Sequence, residues 1–260
     1  MSDTKKRVLT AAVLIAIIIP PFLAGGIWID LLMAVISFFG AYELASMSDQ
    51  KPHMGMTILT AAAIILLYHL EGELILAGFA LWIIVLFAIH IFYEPFSTDE
   101  VVYIYAISCI LAMAWNGVCR IYRTILGPDT MIYVALACFL CDTGAWFFGR
   151  KFGKHKMIPR ISPKKTWEGS IGGYLTGLVI SLVYGLFFVP EMPIGLLVSG
   201  SLVLPAAAQI GDLSFSSTKR HFGIKDFGKL LPGHGGILDR IDSLVFCFMA
   251  FNALMLAWGI

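Results

Sequence analysis

Charged side chains are scarce in this 260-residue chain, where Asp, Glu, Lys and Arg make up 13% against 59% hydrophobic residues. A net charge of +1 gives no basis for nucleic acid as a partner. Cysteine is also rare. Cys109, Cys119, Cys138, Cys141 and Cys247 lie in or beside apolar runs, which favours packed thiols over a metal cluster. Cys138 and Cys141 have the C-x-x-C spacing, but on a membrane helix this only puts two small residues on neighbouring turns. Alternation of period two is missing, which argues against an outer-membrane barrel. There is neither a Walker A loop nor a dinucleotide-binding glycine fingerprint on a strand. The basic start Lys5-Lys6-Arg7 and the apolar run behind it lack a convincing cleavage site with a polar chain beyond, so they are not read as a signal peptide.

Long apolar blocks are what the chain does have. They run to roughly 17–22 residues, the length a helix needs to cross about 30 Å of hydrocarbon. With a mean hydropathy of +0.86, the chain reads as an all-α, polytopic transmembrane protein, because inside a bilayer helices satisfy every backbone group. About nine helices are expected, over residues 8–25, 27–47, 55–70, 73–93, 101–118, 130–149, 171–190, 194–210 and 242–259. The first is expected to kink or end early at Pro20-Pro21. The whole is a single membrane-embedded domain, with an N-terminal helical part over 1–125 and a second helical part, which carries the long polar loops, over 126–260. The 25 glycines are spread largely through the helices, where they permit close packing.

Basic residues fix the expected orientation. With a cytoplasmic N-terminus, 16 of the 18 Lys and Arg fall on the cytoplasmic side and only Arg120 and Arg123 outside. This arrangement puts both long polar loops, 150–170 and 211–241, on the cytoplasmic face of a multi-pass membrane protein.

Asp142 stands in the sixth expected helix, where a carboxylate is costly unless paired, metal-bound or in a wet cavity. A structural carboxylate at a helix end is the alternative. The helix leads into seven basic residues from Arg150 to Lys165. Such a run dresses the inner face of many membrane proteins, and it also attracts anionic head groups. In SPKKTWEGSIGG, residues 162–173, Ser162-Pro163 suits a turn and Thr166 or Ser170 a helix cap. Lys164 and Lys165 are suited to a phosphate. Glu168 suits a metal, a lysine partner or a first-turn helix acid.

The segment 211–242, GDLSFSSTKRHFGIKDFGKLLPGHGGILDRID, holds five basic and four acidic residues between two apolar runs. It is too short for a core of its own, and so reads as a working site. Asp212 follows the eighth expected helix. Ser216 and its neighbours supply hydroxyls, and Lys219, Arg220 and Lys225 supply positive charge. The loop PGHGG, 232–236, with His234 and Gly235, suits either backbone N–H groups turned to an anion or a tight structural turn. Asp239 and Asp242, three residues apart, share a face if helical, and like charges so close call for a cation or protons, with helix capping or an ion pair to Arg240 as the alternative. Hard divalent ions such as Mg²⁺ bind through carboxylates together with substrate phosphates. This inventory fits phosphoryl or nucleotidyl transfer, with one substrate from lipid and one from water.

The run from Ser216 to Asp242, S-x-x-K-R-x(4)-K-D-F-x-K-x-x-P-G-H-G-G-x-x-D-R-x-D, closely resembles the signature of the phosphatidate cytidylyltransferases, the CDP-diacylglycerol synthases. The resemblance extends to CDTGAWFFGRKFGKH and SPKKTWEGSIGG, and so covers most of the chain. It implies transfer of CMP from CTP to phosphatidate, with release of pyrophosphate, by an enzyme using Mg²⁺, with or without a second mono- or divalent cation. It implies a metal-dependent centre at Asp239 and Asp242 with Asp212. Lys219, Arg220, Lys225, Asp226 and His234 match the family's substrate-site residues, and Asp142, Lys164, Lys165 and Glu168 its upstream motifs. CTP, phosphatidate and the bilayer are the expected partners, and a homodimer is compatible with small-residue helix faces. Two alternatives stay open at this level. One is a CTP-dependent polyprenol or dolichol kinase, and the other a transporter with Glu43, Asp142 and Asp239 on an ion path. A CDP-alcohol phosphotransferase is not supported, because its D-G-x-x-A-R arrangement is absent.

Overall fold

The computed structural model describes residues 13, 16–231, 233 and 235–260. Pro232, His234 and most of the first 15 positions lie outside the described residues, and with them the start of the first expected helix. The described chain is helical nearly throughout. Helix α1 covers residues 16–24. It is followed by α2 (Gly26–Ala45), α3 (Met54–His69), α4 (Leu74–Phe92), α5 (Thr98–Arg123), α6 (Gly127–Phe152), α7 (Trp167–Phe188), α8 (Ile194–His221) and α9 (Leu238–Ala257). Between α6 and α7 stand two short antiparallel strands, β1 (Lys156–Ile158) and β2 (Ser162–Thr166). Seven of the described helices are long and apolar enough to cross a membrane, while α3 is shorter. Their outward faces are apolar: in α4 only Trp82 and Leu86 are buried. This is a multi-pass membrane protein.

Several boundaries differ from the sequence expectation. Pro20 and Pro21 do not end α1, which continues to residue 24 and stops at Gly25, whose φ of 63° leaves the helical region. The polar stretch 211–221 is not loop but the last three turns of α8. Its polar side chains bond back along the helix, Ser216 Oγ to Asp212 Oδ1 at 3.2 Å and Thr218 Oγ1 to the Ser214 carbonyl at 3.1 Å. Ser162-Pro163 is strand rather than turn, and the chain reverses at residues 159–161. Proline is tolerated there because a two-stranded ribbon consists only of edges.

The chain divides into two compact units, residues 1–116 with 222–240, and residues 117–221 with 241–260. In the first, Trp115 Nε1 donates to Ser37 Oγ at 3.0 Å, tying α5 to α2 in a buried contact. In the second, α6 and α7 approach closely along a glycine stripe. A methyl group on Gly169, Gly173 or Gly177 would lie only 2.5–2.7 Å from the carbonyl oxygens of Ala145, Cys141 and Ala137. Glycine every fourth residue lets two membrane helices meet backbone to backbone. Thr166 caps α7, its Oγ1 accepting the Gly169 N–H at 3.2 Å, which settles the choice between Thr166 and Ser170. The tight α6–α7 pair thus carries the β1–β2 hairpin at its polar end.

Candidate active site

In the 117–221 and 241–260 unit, a cavity of about 390 Å³ opens where α6, the hairpin, α7 and α8 meet. Asp142 and Arg150 from α6, Lys164 and Lys165 from β2, Ser170 from α7, and Gln209 and Asp212 from α8 line it. Lys165 Nζ stands 2.7 Å from Asp212 Oδ2, with the two side chains 27% and 31% exposed. The second oxygen of Asp212 accepts from Ser216. Trp146, under the Arg150 guanidinium at 5.5 Å, forms part of the same wall. A mixed-charge cavity with excess cations suits a phosphate.

The carboxylates of this unit form an interacting group. Asp142 interacts electrostatically with Asp212 and Lys165, and Asp242 with Asp212, Lys219 and Asp142. Three carboxyl groups are thus set against two lysines, one of them the buried Lys219. Asp242 Oδ1 accepts the Ser243 N–H at 2.8 Å. Among the described residues no three His, Cys, Asp or Glu side chains converge into a ready metal cage.

Glu168 does not line the cavity. Its carboxylate meets His155 Nδ1 at 2.6 Å and accepts the N–H groups of Lys154 and His155 at 3.1–3.2 Å, which fastens the start of the hairpin to the first turn of α7. Arg220 is exposed at the end of α8.

In the other unit, Lys225, Asp226, Gly228, Lys229, Leu231, Gly233, Gly235 and Arg240 surround an open recess of about 370 Å³. Leu231 and Gly235 exchange backbone hydrogen bonds of 2.9 and 3.1 Å, and Gly235 has a φ of 85°, so these two residues close a turn. The N–H of Gly236 donates to Asp239 Oδ2 at 3.0 Å. These two amides serve the turn. Asp239 is buried, and the same Oδ2 also accepts the Phe227 N–H at 2.9 Å. Asp239 and Asp242 both lie in the first turns of α9, as their spacing implied. His234 lies outside the described residues.

One site-shaping residue, Gln209, went unremarked in the sequence, and another, Glu43, was given a different role. Gln209 donates to the Ser170 carbonyl at 2.8 Å, and Ser170 Oγ donates to Gln209 Oε1. A single amide within an apolar run was the available signal. Glu43, read earlier only as an ion-path residue, accepts the N–H groups of Ile237 and Leu238 at 2.8 and 2.9 Å.

Comparison with known proteins decides the family. Residues 5–258 match the profile of the cytidylyltransferase family. The chain belongs to the cytidylyltransferase family. Among its relatives in this family, the phosphatidate cytidylyltransferase of Staphylococcus epidermidis is 36% identical over 257 residues, 97% of this chain and 99% of that protein. The phosphatidate cytidylyltransferase of Staphylococcus haemolyticus is 37% identical over 258 residues, again 97% of this chain and 99% of that protein. That of Staphylococcus aureus is 34% identical over 257 residues with the same coverage.

Proposed function

We propose that this chain transfers the CMP moiety of CTP to phosphatidate, giving CDP-diacylglycerol and pyrophosphate. The observation that carries the reading is the cavity in which Asp142, Asp212, Arg150, Lys164 and Lys165 converge at the polar ends of membrane-length helices. Full-length similarity to proteins named for this activity supports it and favours neither a lipid kinase nor a transporter.

A phosphatidate phosphate oxygen attacks the α-phosphorus of CTP. One P–O bond forms as the bond to the bridging oxygen of the β-phosphate breaks, and pyrophosphate leaves with the electron pair. The nucleophile is already anionic, so no side chain need remove a proton. Catalysis then rests on positioning and on charge placed where charge develops. In this reading Lys164 and Lys165, with Lys219, Arg220 and Lys225, hold phosphate groups, while Ser216 orients Asp212. His234 is assigned to phosphate contact or orientation.

Mg²⁺ is the proposed cofactor, with room in the proposal for a second mono- or divalent cation. Such an ion takes one or two carboxylates and completes its shell with substrate phosphates and water. The mutually interacting Asp142, Asp212 and Asp242 offer suitable hard oxygen donors. When bound, the ion neutralises charge developing on the transferred phosphate. Asp239 and Glu168 belong to the proposed ligand set as well, and both also hold the backbone, Asp239 through Oδ2 and Glu168 through both oxygens.

The proposal places the protein in the bacterial cytoplasmic membrane, with the β1–β2 hairpin and the 222–237 segment facing the cytoplasm, as the distribution of lysine and arginine suggests. It includes a homodimer, for which small residues such as Ala80 and Ala88 on the exposed side of α4 leave room. The test is phosphatidate-dependent release of pyrophosphate from CTP by the purified protein in mixed micelles. Release should require Mg²⁺, and its absence with phosphatidate, CTP and Mg²⁺ present contradicts the proposal.

A further inference from the structure

Glu43 takes no part in the reaction proposed above, yet its surroundings are built around it. It lies in the last turns of α2 and is 1% exposed. One carboxylate oxygen accepts the Ile237 N–H at 2.8 Å and the other the Leu238 N–H at 2.9 Å. These residues open α9, where the first N–H groups of a helix have no partner within it. Two glycines close over the carboxylate from the loop side. A methyl group on Gly228 would lie 2.7 Å from Oε1, and one on Gly236 2.5 Å from both oxygens.

The wrapped segment is the one that forms the basic recess. Gly228 lines it directly, between Asp226 and Lys229, and Gly236 follows Gly235 in its turn. Asp239 holds the same segment from within through Phe227 and Gly236. Lys225, Lys229 and Arg240 outnumber Asp226 around the recess, so its chemistry is that of a phosphate site. Glu43 stands behind this wall.

We infer that Glu43 is a positioning residue that holds the 225–240 segment in the shape that receives a substrate phosphate. The inference rests on the proposed cytidylyl transfer, in which both CTP and phosphatidate bring phosphates. A carboxylate is needed here because both of its oxygens accept. Glutamine has one acceptor, and its amide N–H₂ would face a backbone N–H.

Steady-state kinetics of the purified full-length protein, with CTP and phosphatidate varied separately, tests this. Glu43→Gln and Gly236→Ala should each raise the KM for one of the two substrates by about tenfold, the scale of one lost charge-assisted hydrogen bond. The other KM should stay within about twofold. A rise for CTP assigns the recess to the triphosphate, and a rise for phosphatidate assigns it to the lipid phosphate. Glu43→Asp, which keeps the charge, should recover part of the effect. A merely structural role would reduce the active fraction, lowering kcat with both KM values unchanged, and that result overturns the inference. If Glu43→Gln does not fold, Gly228→Ala presses on the intact carboxylate and is judged by the same criterion. A wild-type protein that forms no CDP-diacylglycerol overturns the underlying function instead. In that case direct binding of pyrophosphate to wild type and Glu43→Gln still judges the recess, and equal affinities overturn the inference.

Discussion

Lys165 and Asp212 meet at 2.7 Å, joining the hairpin between α6 and α7 to the polar end of α8. Each came from a separate polar segment of the sequence, and their contact makes those segments two walls of one cavity. With the side chains 27% and 31% exposed, the pair should contribute no more than about 1 kcal/mol to stability. Its value is expected in catalysis. Lys165→Ala and Asp212→Asn should each lower kcat/KM by roughly a hundredfold while thermal melting in detergent stays near wild type. Wild-type kcat/KM in either variant removes that residue from the site.

Asp239 and Asp242 should separate in their effects despite lying in the same first turns of α9. Asp239→Ala leaves the buried amides of Phe227 and Gly236 without their acceptor, at about 1–3 kcal/mol for each. It should therefore melt at a clearly lower temperature. Asp242→Ala should keep its melting temperature, lose turnover and need more Mg²⁺ for any residual rate. Melting curves and a Mg²⁺ titration of both variants check this, and equal melting temperatures contradict the role given to Asp239.

The glycine stripe of α7 makes a packing prediction. A methyl at Gly173 would lie 2.5 Å from the Cys141 carbonyl oxygen and 2.7 Å from Ala145 Cβ, so Gly173→Val forces the helices apart. Overpacking of this kind costs about 1–3 kcal/mol, read as a lower melting temperature and a lower yield of monodisperse protein. Unchanged stability would mean that α6 and α7 need no backbone contact.

Orientation is open to chemical labelling. A cysteine placed at Lys156 or Lys225 should react with a membrane-impermeant maleimide only after the cytoplasmic face is exposed. Four of the five native cysteines are buried and make a low background. Labelling of either position in intact cells contradicts a cytoplasmic hairpin and loop.

The helices were legible because a bilayer demands long apolar runs, and those runs are visible residue by residue. The fate of residues 211–221 was not legible, because hydropathy drops at Asp212 while the backbone remains helical, its hydroxyls bonding back along α8. The hairpin was missed for a similar reason: lysine-rich β1 and β2 resemble a solvated loop in composition. At the site, the motifs supplied Asp142, Lys164, Lys165 and Asp212, which do line one cavity. What the motifs could not convey was which oxygens already serve the backbone. Glu168 and Asp239 read as metal ligands in sequence, and the fold adds that the Glu168 carboxylate and Asp239 Oδ2 also accept amide N–H groups. Glu43 shows no motif at all, since its partners are about 190 residues away, at Ile237 and Leu238.

The most direct test of the account follows the phosphorus atoms of CTP. The purified protein, given phosphatidate and Mg²⁺, is supplied in parallel with CTP labelled at the α-phosphorus and at the γ-phosphorus. Cytidylyl transfer predicts that the α-label appears in the lipid and the γ-label in pyrophosphate. A γ-label in the lipid with release of CDP, or no label in the lipid from either substrate, contradicts it.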